Sequence, residues 1–240
     1  MTDVTQRTNA LGQPIGIDIP DWKPCPAPPR KAMTGTWCRL EPIDPDRHAP
    51  ELFAANAENA DGGMWTYMNH GPFDSLADYR AWMDTACMGD DPLFHTIIDA
   101  RDGKAKGLAA YMRINPADGV IEVGSIALSP ALQRTQVATE AMYLMMRRAF
   151  DELGYRRYEW KCDDLNVPSR RAAARYGFLY EGTFVQATMY KGRNRDTAWH
   201  AITDKRWPGI RAAMEAWLDG SNFDAEGTQR RSLAAFMPPA

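Results

Sequence analysis

The chain has no CxxC pair, and its four cysteines, Cys25, Cys38, Cys87 and Cys162, lie far apart. Its four histidines also stand alone, so neither a zinc site nor a disulfide framework is expected. A reducing, cytoplasmic setting is the simpler expectation. No apolar run approaches the roughly 20 residues that span a bilayer. The opening residues, MTDVTQRTNALG, lack an apolar stretch, so no secretory signal is expected. No GxGxxG, Walker or GxSxG pattern occurs, which argues against the dinucleotide, P-loop and α/β-hydrolase readings. A formal net charge of −3 argues against a protein that tracks nucleic-acid phosphates.

What the 240 residues do contain is enough apolar surface for a sizeable single core. Residues 1–33 read as a proline-rich arm. Pro14, Pro20, Pro24, Pro26, Pro28 and Pro29 forbid regular ladders there, while Ile15, Ile17, Ile19 and Trp22 are available to pin it. Residues 34–219 carry the folded domain. A strand at Thr36–Ile43 and a helix at Arg47–Glu58 come first, then an aromatic loop with Trp65, Tyr67 and Phe73 and a helix capped by Ser75. Strands at Leu93–Arg101 and Ala105–Ile114 meet at the hairpin signal Asp102-Gly103. Val120–Leu128 is a third strand.

A long helix over Thr135–Leu153 follows, with Met142, Met145, Met146, Ala149, Phe150 and Leu153 on one face and Gly154 as its stop. Tyr155–Cys162 alternates as a half-buried strand. Asn166 caps a helix that Gly177 ends. Phe178–Ala187 and Met189–Ile202 flank a basic turn at Lys191–Arg195, and Pro208–Leu218 is a closing helix. The tail, residues 220–240, has few core residues and is expected to be disordered or to pack on a partner. The order predicts an α/β fold around a mixed sheet.

Three segments carry chemistry. The turn Gln133–Thr139 opens a helix, where backbone N–H groups and the helix dipole favour anions; an ordinary strand-to-helix connection is the plainer alternative. Glu122 is a single carboxylate among Val120, Ile121, Val123 and Ile126, an apolar setting that raises a carboxyl's pKa toward working pH. It is a candidate general base for an ammonium that must lose a proton before attack, or else a solvated glutamate or a partner of Arg113. Asn166 and Ser169 stand at the start of a helix, where capping alone would explain Asn166.

These segments together resemble the GNAT superfamily of N-acetyltransferases. The turn is similar to that family's Arg/Gln-x-x-Gly-x-Gly/Ala motif, with Gln133 and Ala138 matching and Gln136 replacing the middle glycine. IEVGSIAL, QRTQVATEAMYLMMRRAF, DDLNVPSRRAAARYGFLYEGTF and YKGRNRDTAWHAI resemble the branch of the Rim-type ribosomal-protein N-terminal acetyltransferases. The resemblance spans about residues 36–218 and leaves the arm and tail outside the family core. It implies a GNAT-like mixed, largely antiparallel sheet with a splayed parallel strand pair, flanked by helices.

It also implies acetyl-CoA as co-substrate, without a metal, and a primary amine as acceptor, either a small molecule or a protein N-terminus. No nucleic acid and no membrane are expected as partners; a homodimer is admitted. By matched position the splayed strand, with Ile126 and Leu128, would bond the pantetheine arm, and an amide near Ile126 would meet the oxyanion. The amides of Arg134, Gln136, Val137, Ala138 and Thr139 would hold the pyrophosphate. Gln136 cannot take a positive φ cheaply. Asn166 would bond the cofactor's amide chain, Ser169 would protonate the thiolate, and Trp65 and Tyr67 would line the acceptor pocket. The implied activity is direct attack in a ternary complex with Glu122 as base. The alternative is a non-catalytic acyl-CoA sensor of the same fold.

Overall fold

The computed structural model describes residues 7–239. The first six residues of the proline-rich arm and the last residue of the tail lie outside it.

A two-residue ladder pairs β1 (Arg7–Thr8) with β2 (Pro14–Ile15). This corrects the expectation that prolines keep the arm free of ladders: Pro14 opens its strand, a position where a missing N–H costs little. Ile15, Ile17 and Ile19 stay exposed, so they do not pin the arm. Trp22 does, donating to the Ala117 carbonyl at 2.7 Å, and Cys25 packs into the main core.

The main sheet has eight strands: β3 (Met33–Thr34), β4 (Cys38–Pro42), β5 (Leu93–Asp99), β6 (Ala105–Asn115), β7 (Val120–Leu128), β8 (Arg157–Asp163), β9 (Leu179–Tyr190) and β10 (Arg193–Thr203). Their spatial order is β3-β4-β5-β6-β7-β8-β10-β9. Every neighbouring pair is antiparallel except β7–β8. This is the mixed sheet that the order of elements predicts, and its largely antiparallel form with one parallel pair is what the family resemblance implies. The last hairpin turns at Lys191-Gly192, both at positive φ (49° and 70°), so β9 runs on to Tyr190, beyond the predicted Ala187.

Five helices flank the sheet: α1 (Pro45–Ala57), α2 (Leu76–Ala86), α3 (Gln136–Arg147), α4 (Val167–Arg175) and α5 (Trp207–Leu218). Local chemistry sets their ends. The Asp44 carboxylate accepts from the amides of Asp46 and Arg47, and Ser75 and Thr135 cap α2 and α3. Arg148–Glu152 continues α3 as a wider π-helical turn before Gly154, at φ 74°, stops it.

Two cores result. α1 and α2 cover one face of the sheet, over Phe94, Ile98, Leu108 and Ala110. α3 covers the other, over Ile121, Val123, Tyr158 and Trp160. Val137 through Met146 are all buried, so α3 is enclosed rather than amphipathic. α5 and the tail enclose it. Phe223 and Leu233 join the main core at 9% and 1% exposure, so the tail packs on its own chain.

Within α3, Glu140 is buried. Its Oε1 accepts from the Thr36 amide at 2.8 Å, and its Oε2 accepts from those of Trp37 and Cys38 at 2.6 and 2.7 Å. These charge-assisted bonds fix the turn between β3 and β4. Gly35 is required there, because a Cβ would stand 2.3 Å from the Glu140 carboxyl carbon.

Candidate active site

The parallel ladder between β7 and β8 has three register pairs, Val120↔Arg157, Ile121↔Tyr158 and Glu122↔Glu159. Beyond them the strands part: β7 keeps its ladder with β6 as far as Leu128, and β8 keeps its ladder with β10 as far as Asp163. A bulge at Ser125 (φ 48°) and Ile126, which have no register partner on β6, bends β7 away. The backbone of Val123–Leu128 thus faces a wedge rather than β8.

At the end of that wedge stands the start of α3. The amides of Leu132 and Gln133 bond the Ser129 carbonyl. Those of Arg134, Thr135, Gln136 and Val137 donate to no acceptor among the described residues. The Ala138 amide is taken by Thr135 Oγ1 and the Thr139 amide by the Thr135 carbonyl, each at 3.2 Å, so the uncommitted amides all precede Ala138. The left-handed residue is Arg134, at φ 63°, not Gln136. Gln136 is the first helical residue, and its side chain turns outward to donate to the Gly227 carbonyl at 3.0 Å. The positive φ thus falls two residues before Gln136, whose side chain is committed to Gly227.

Glu122 is 2% exposed and ion-paired at both oxygens. Arg113 Nη1 donates to Oε1 at 2.6 Å, and Lys161 Nζ lies 3.0 Å from Oε2. Lys161 is also 2.7 Å from Glu159, which Arg157 pairs at 2.6 Å before reaching on to Glu181. Lys161 Nζ further sits 3.8 Å from the centroid of the Trp199 ring. Burial raises the Glu122 pKa, against the opposing pull of Lys161 and Arg113. The network corrects the reading of β8 as half-buried: Glu159 is buried too, and the Lys161 side chain is nearly covered. Charges at every second position, Arg157, Glu159 and Lys161, were the available signal.

At the start of α4, Asn166 Oδ1 caps the helix by accepting from the Ser169 amide at 3.1 Å. Its side-chain NH2 is uncommitted by that bond. Ser169 Oγ accepts from Trp160 Nε1 at 2.9 Å. Cys162 is buried and its thiol is pushed up by that burial, which makes it a poor nucleophile.

The aromatic loop closes the other side. Trp65 is 6% exposed, edge-on to Phe73 and His70, with the Cβ-less Gly71 against its ring. Its ring is a packing element. Tyr67 is half-buried and donates to the Leu165 carbonyl at 3.1 Å, which ties the loop to the start of α4. Lys191 and Arg193 donate to the carbonyls of Trp65 and Thr66, at 2.8 and 2.6 Å, so the basic turn clamps this loop. His70 stacks on Trp82, and burial together with Lys191 pushes its pKa down to about 4. His95 lies buried in the sheet.

Residues 38–179 match the family model described as the acetyltransferase (GNAT) domain. The chain belongs to the GNAT family. A GCN5-related N-acetyltransferase from Brucella melitensis is 47% identical, with a TM-score of 0.88, over 90% of this chain and 98% of its own. A GNAT-family protein from Chromobacterium violaceum is 36% identical, with a TM-score of 0.76, over 82% of this chain and 98% of its own. The microcin self-immunity acetyltransferase MccE, in complex with acetyl-CoA and AMP, is 20% identical over 70% of this chain and 93% of its own, and its TM-score of 0.62 shows a shared fold alone. No curated protein matches this GNAT chain. Neither of the two more identical structures carries the name of an acceptor, and the Rim-type branch is finer than these likenesses reach. Among the described residues no His, Cys, Asp or Glu group is arranged to hold a metal ion, and no helix is long and apolar enough to cross a membrane.

Proposed function

We propose that this GNAT protein transfers the acetyl group of acetyl-CoA to a primary amine by direct attack in a ternary complex. One observation carries the reading: the last register pair before the strands part includes a buried carboxylate, and the wedge beyond it ends at a run of uncommitted amides. That arrangement fits the donor. The amides of Arg134–Val137 and the positive end of α3 hold the diphosphate. The freed backbone of β7 about Ile126 and Leu128 bonds the pantetheine arm, as does the Asn166 side-chain NH2. An amide near Ile126 meets the developing oxyanion.

Glu122 takes the proton from the acceptor's ammonium. The amine lone pair then forms the C–N bond as the C–S bond breaks. Ser169, whose Oγ is already held by Trp160, takes the second proton from the acylated nitrogen as it gives its own to the leaving thiolate, so the products are the neutral amide and the free thiol. Tyr67 faces the acceptor, and Trp65 holds the loop that carries it. The Rim-type resemblance makes a protein N-terminal amine one acceptor class, beside small primary amines.

Thiol release from acetyl-CoA across a panel of small amines and N-terminal peptides, with calorimetry of acetyl-CoA alone, tests this. Binding with release for at least one amine is the expected result. The double ion pair on Glu122 favours one second reading, a non-catalytic acyl-CoA sensor. Binding without release for any amine would establish that instead, and no binding at all would end both.

A further inference from the structure

Arg113 is built into its place at some cost. It occupies a bulge in β6, where the register with β7 shifts between Met112 and Asn115. Its backbone is left-handed, at φ 48°, a conformation that non-glycine residues rarely adopt. Asp91 holds the bulge: its two carboxylate oxygens accept the amides of Arg113 and Ile114 at 2.8 and 2.9 Å. Bulges of this kind re-aim a side chain. Here the result is a guanidinium on Glu122 Oε1 at 2.6 Å, with the Arg113 side chain 56% exposed and the carboxylate beneath it almost sealed.

The two cations on Glu122 are unequal. Lys161 is 8% exposed, shared with Glu159 and set against Trp199, so it is a fixed partner. Arg113 contributes the exposed one, and solvent meets Glu122 from its side.

We propose that Arg113 is the acceptor gate: its guanidinium holds the place on Glu122 Oε1 that the acceptor's ammonium takes, and the two exchange. This deepens the reading of Glu122 as base and rests on it. The exchange is one cation for another, so Oε1 is never left without a cation while Lys161 keeps Oε2. It also activates the base. Once the guanidinium has left, the ammonium is the cation on Oε1. Its proton passes to Oε1 and leaves a neutral amine beside a neutral carboxyl. The remaining charges facing the site are Lys161, Glu159, Arg157 and Glu181, an alternating set that stays paired. Neutral molecules and anions cannot make the exchange, so the gate selects cationic amines before any contact with the rest of the acceptor.

The test titrates the Glu122 side-chain carboxyl by carbon-13 NMR in the full chain, with ethylammonium and guanidinium chlorides as probes. In Arg113→Met the midpoint should rise by about one unit, tenfold in proton affinity. Either probe should bring it back down in the variant, while potassium chloride at equal strength should not. Asp91→Ala, which keeps the guanidinium but frees the bulge, should show part of the same rise. An unchanged midpoint in Arg113→Met, or one that organic cations move no more than potassium does, overturns the gate. Turnover of Glu122→Gln reports on the base separately: wild-type turnover there would remove the base while leaving the titration interpretable.

Discussion

Glu122 and Glu159 stand opposite one another in the last register pair that β7 and β8 share, with Lys161 Nζ between them at 3.0 and 2.7 Å. Two carboxylates side by side in a buried sheet repel unless a cation is shared. Lys161 supplies it from β8 itself, two residues beyond Glu159. The charge network and the splay therefore coincide: the ladder ends where the ionic chain crosses it, and the wedge opens over a carboxylate whose charge is already balanced. A base placed there is nearly sealed, and the two cations offset part of the burial that raises its pKa.

If Glu122 is the base, Glu122→Gln should lower kcat about 10²–10⁴-fold, with little change in the affinity for acetyl-CoA. The pH profile gives the sharper reading. A group whose pKa is raised by burial must lose its proton to act, so kcat/KM should fall below a midpoint above the ordinary glutamate value of about 4.3. The glutamine variant should lose that acid limb. Retention of the limb in Glu122→Gln would assign it to another group.

Lys161→Met should make the two carboxylates compete. The Glu122 midpoint should rise further, and stability should acquire a stronger pH dependence of definite sign. A carboxyl whose folded pKa is raised binds its proton more tightly in the folded state. Its contribution is therefore present at acid pH and is lost as pH rises from the unfolded value, about 4.3, through the folded one. Chemical denaturation at pH 5 and pH 8 should show Lys161→Met losing more stability at pH 8 than at pH 5, relative to wild type. Equal losses at both would mean that the lysine acts by packing on Trp199 alone.

The order of elements was legible because its punctuation is local. Ser75, Asn166, Gly154, Gly177 and the Asp102-Gly103 pair each act on residues within a turn of themselves, and each is where the chain needs it. Glu122 and the α3 turn stood out as candidates for a similar reason, since each contrasts with its immediate neighbours. What escaped depends on distant partners. Glu140 looks like one more polar residue on a helix until Thr36–Cys38 arrive from about a hundred positions away. The tail looked unattached because its few apolar residues, Phe223 and Leu233, count only when α3 and α5 have already formed a surface for them. Trp65 seemed available to a ligand because nothing in the sequence shows that Gly71 folds back onto its ring.

Glu140 makes a separate prediction about stability. Glu140→Ala leaves three backbone amides without their acceptor and should cost about 3 kcal/mol or more, a Tm drop of roughly 6–12 °C. Glu140→Gln should rescue only part, because its oxygen can take the Oε2 place but its NH2 then meets the Thr36 N–H, a donor against a donor. A Gln variant as stable as wild type would show that the turn between β3 and β4 holds itself.

The donor cradle allows its amides to be tested one at a time. Gln136 is the first residue of α3, where proline is well tolerated because the N–H has no helical acceptor. The preceding Thr135, at φ −97° and ψ 167°, already has the extended backbone that a following proline demands. Gln136→Pro should therefore fold, yet it removes one donor from the run proposed to hold the diphosphate. Gln136→Ala loses the same side chain, and with it the bond to Gly227, but keeps the N–H. A hydrogen bond to a charged group contributes about 1.5–3 kcal/mol, so acetyl-CoA should bind roughly 10–100-fold more weakly to the proline variant than to the alanine variant. Calorimetry measures both, and free pantetheine, which has no diphosphate, should bind the two variants alike. Equal affinity of the two variants for acetyl-CoA would place the diphosphate somewhere other than the start of α3.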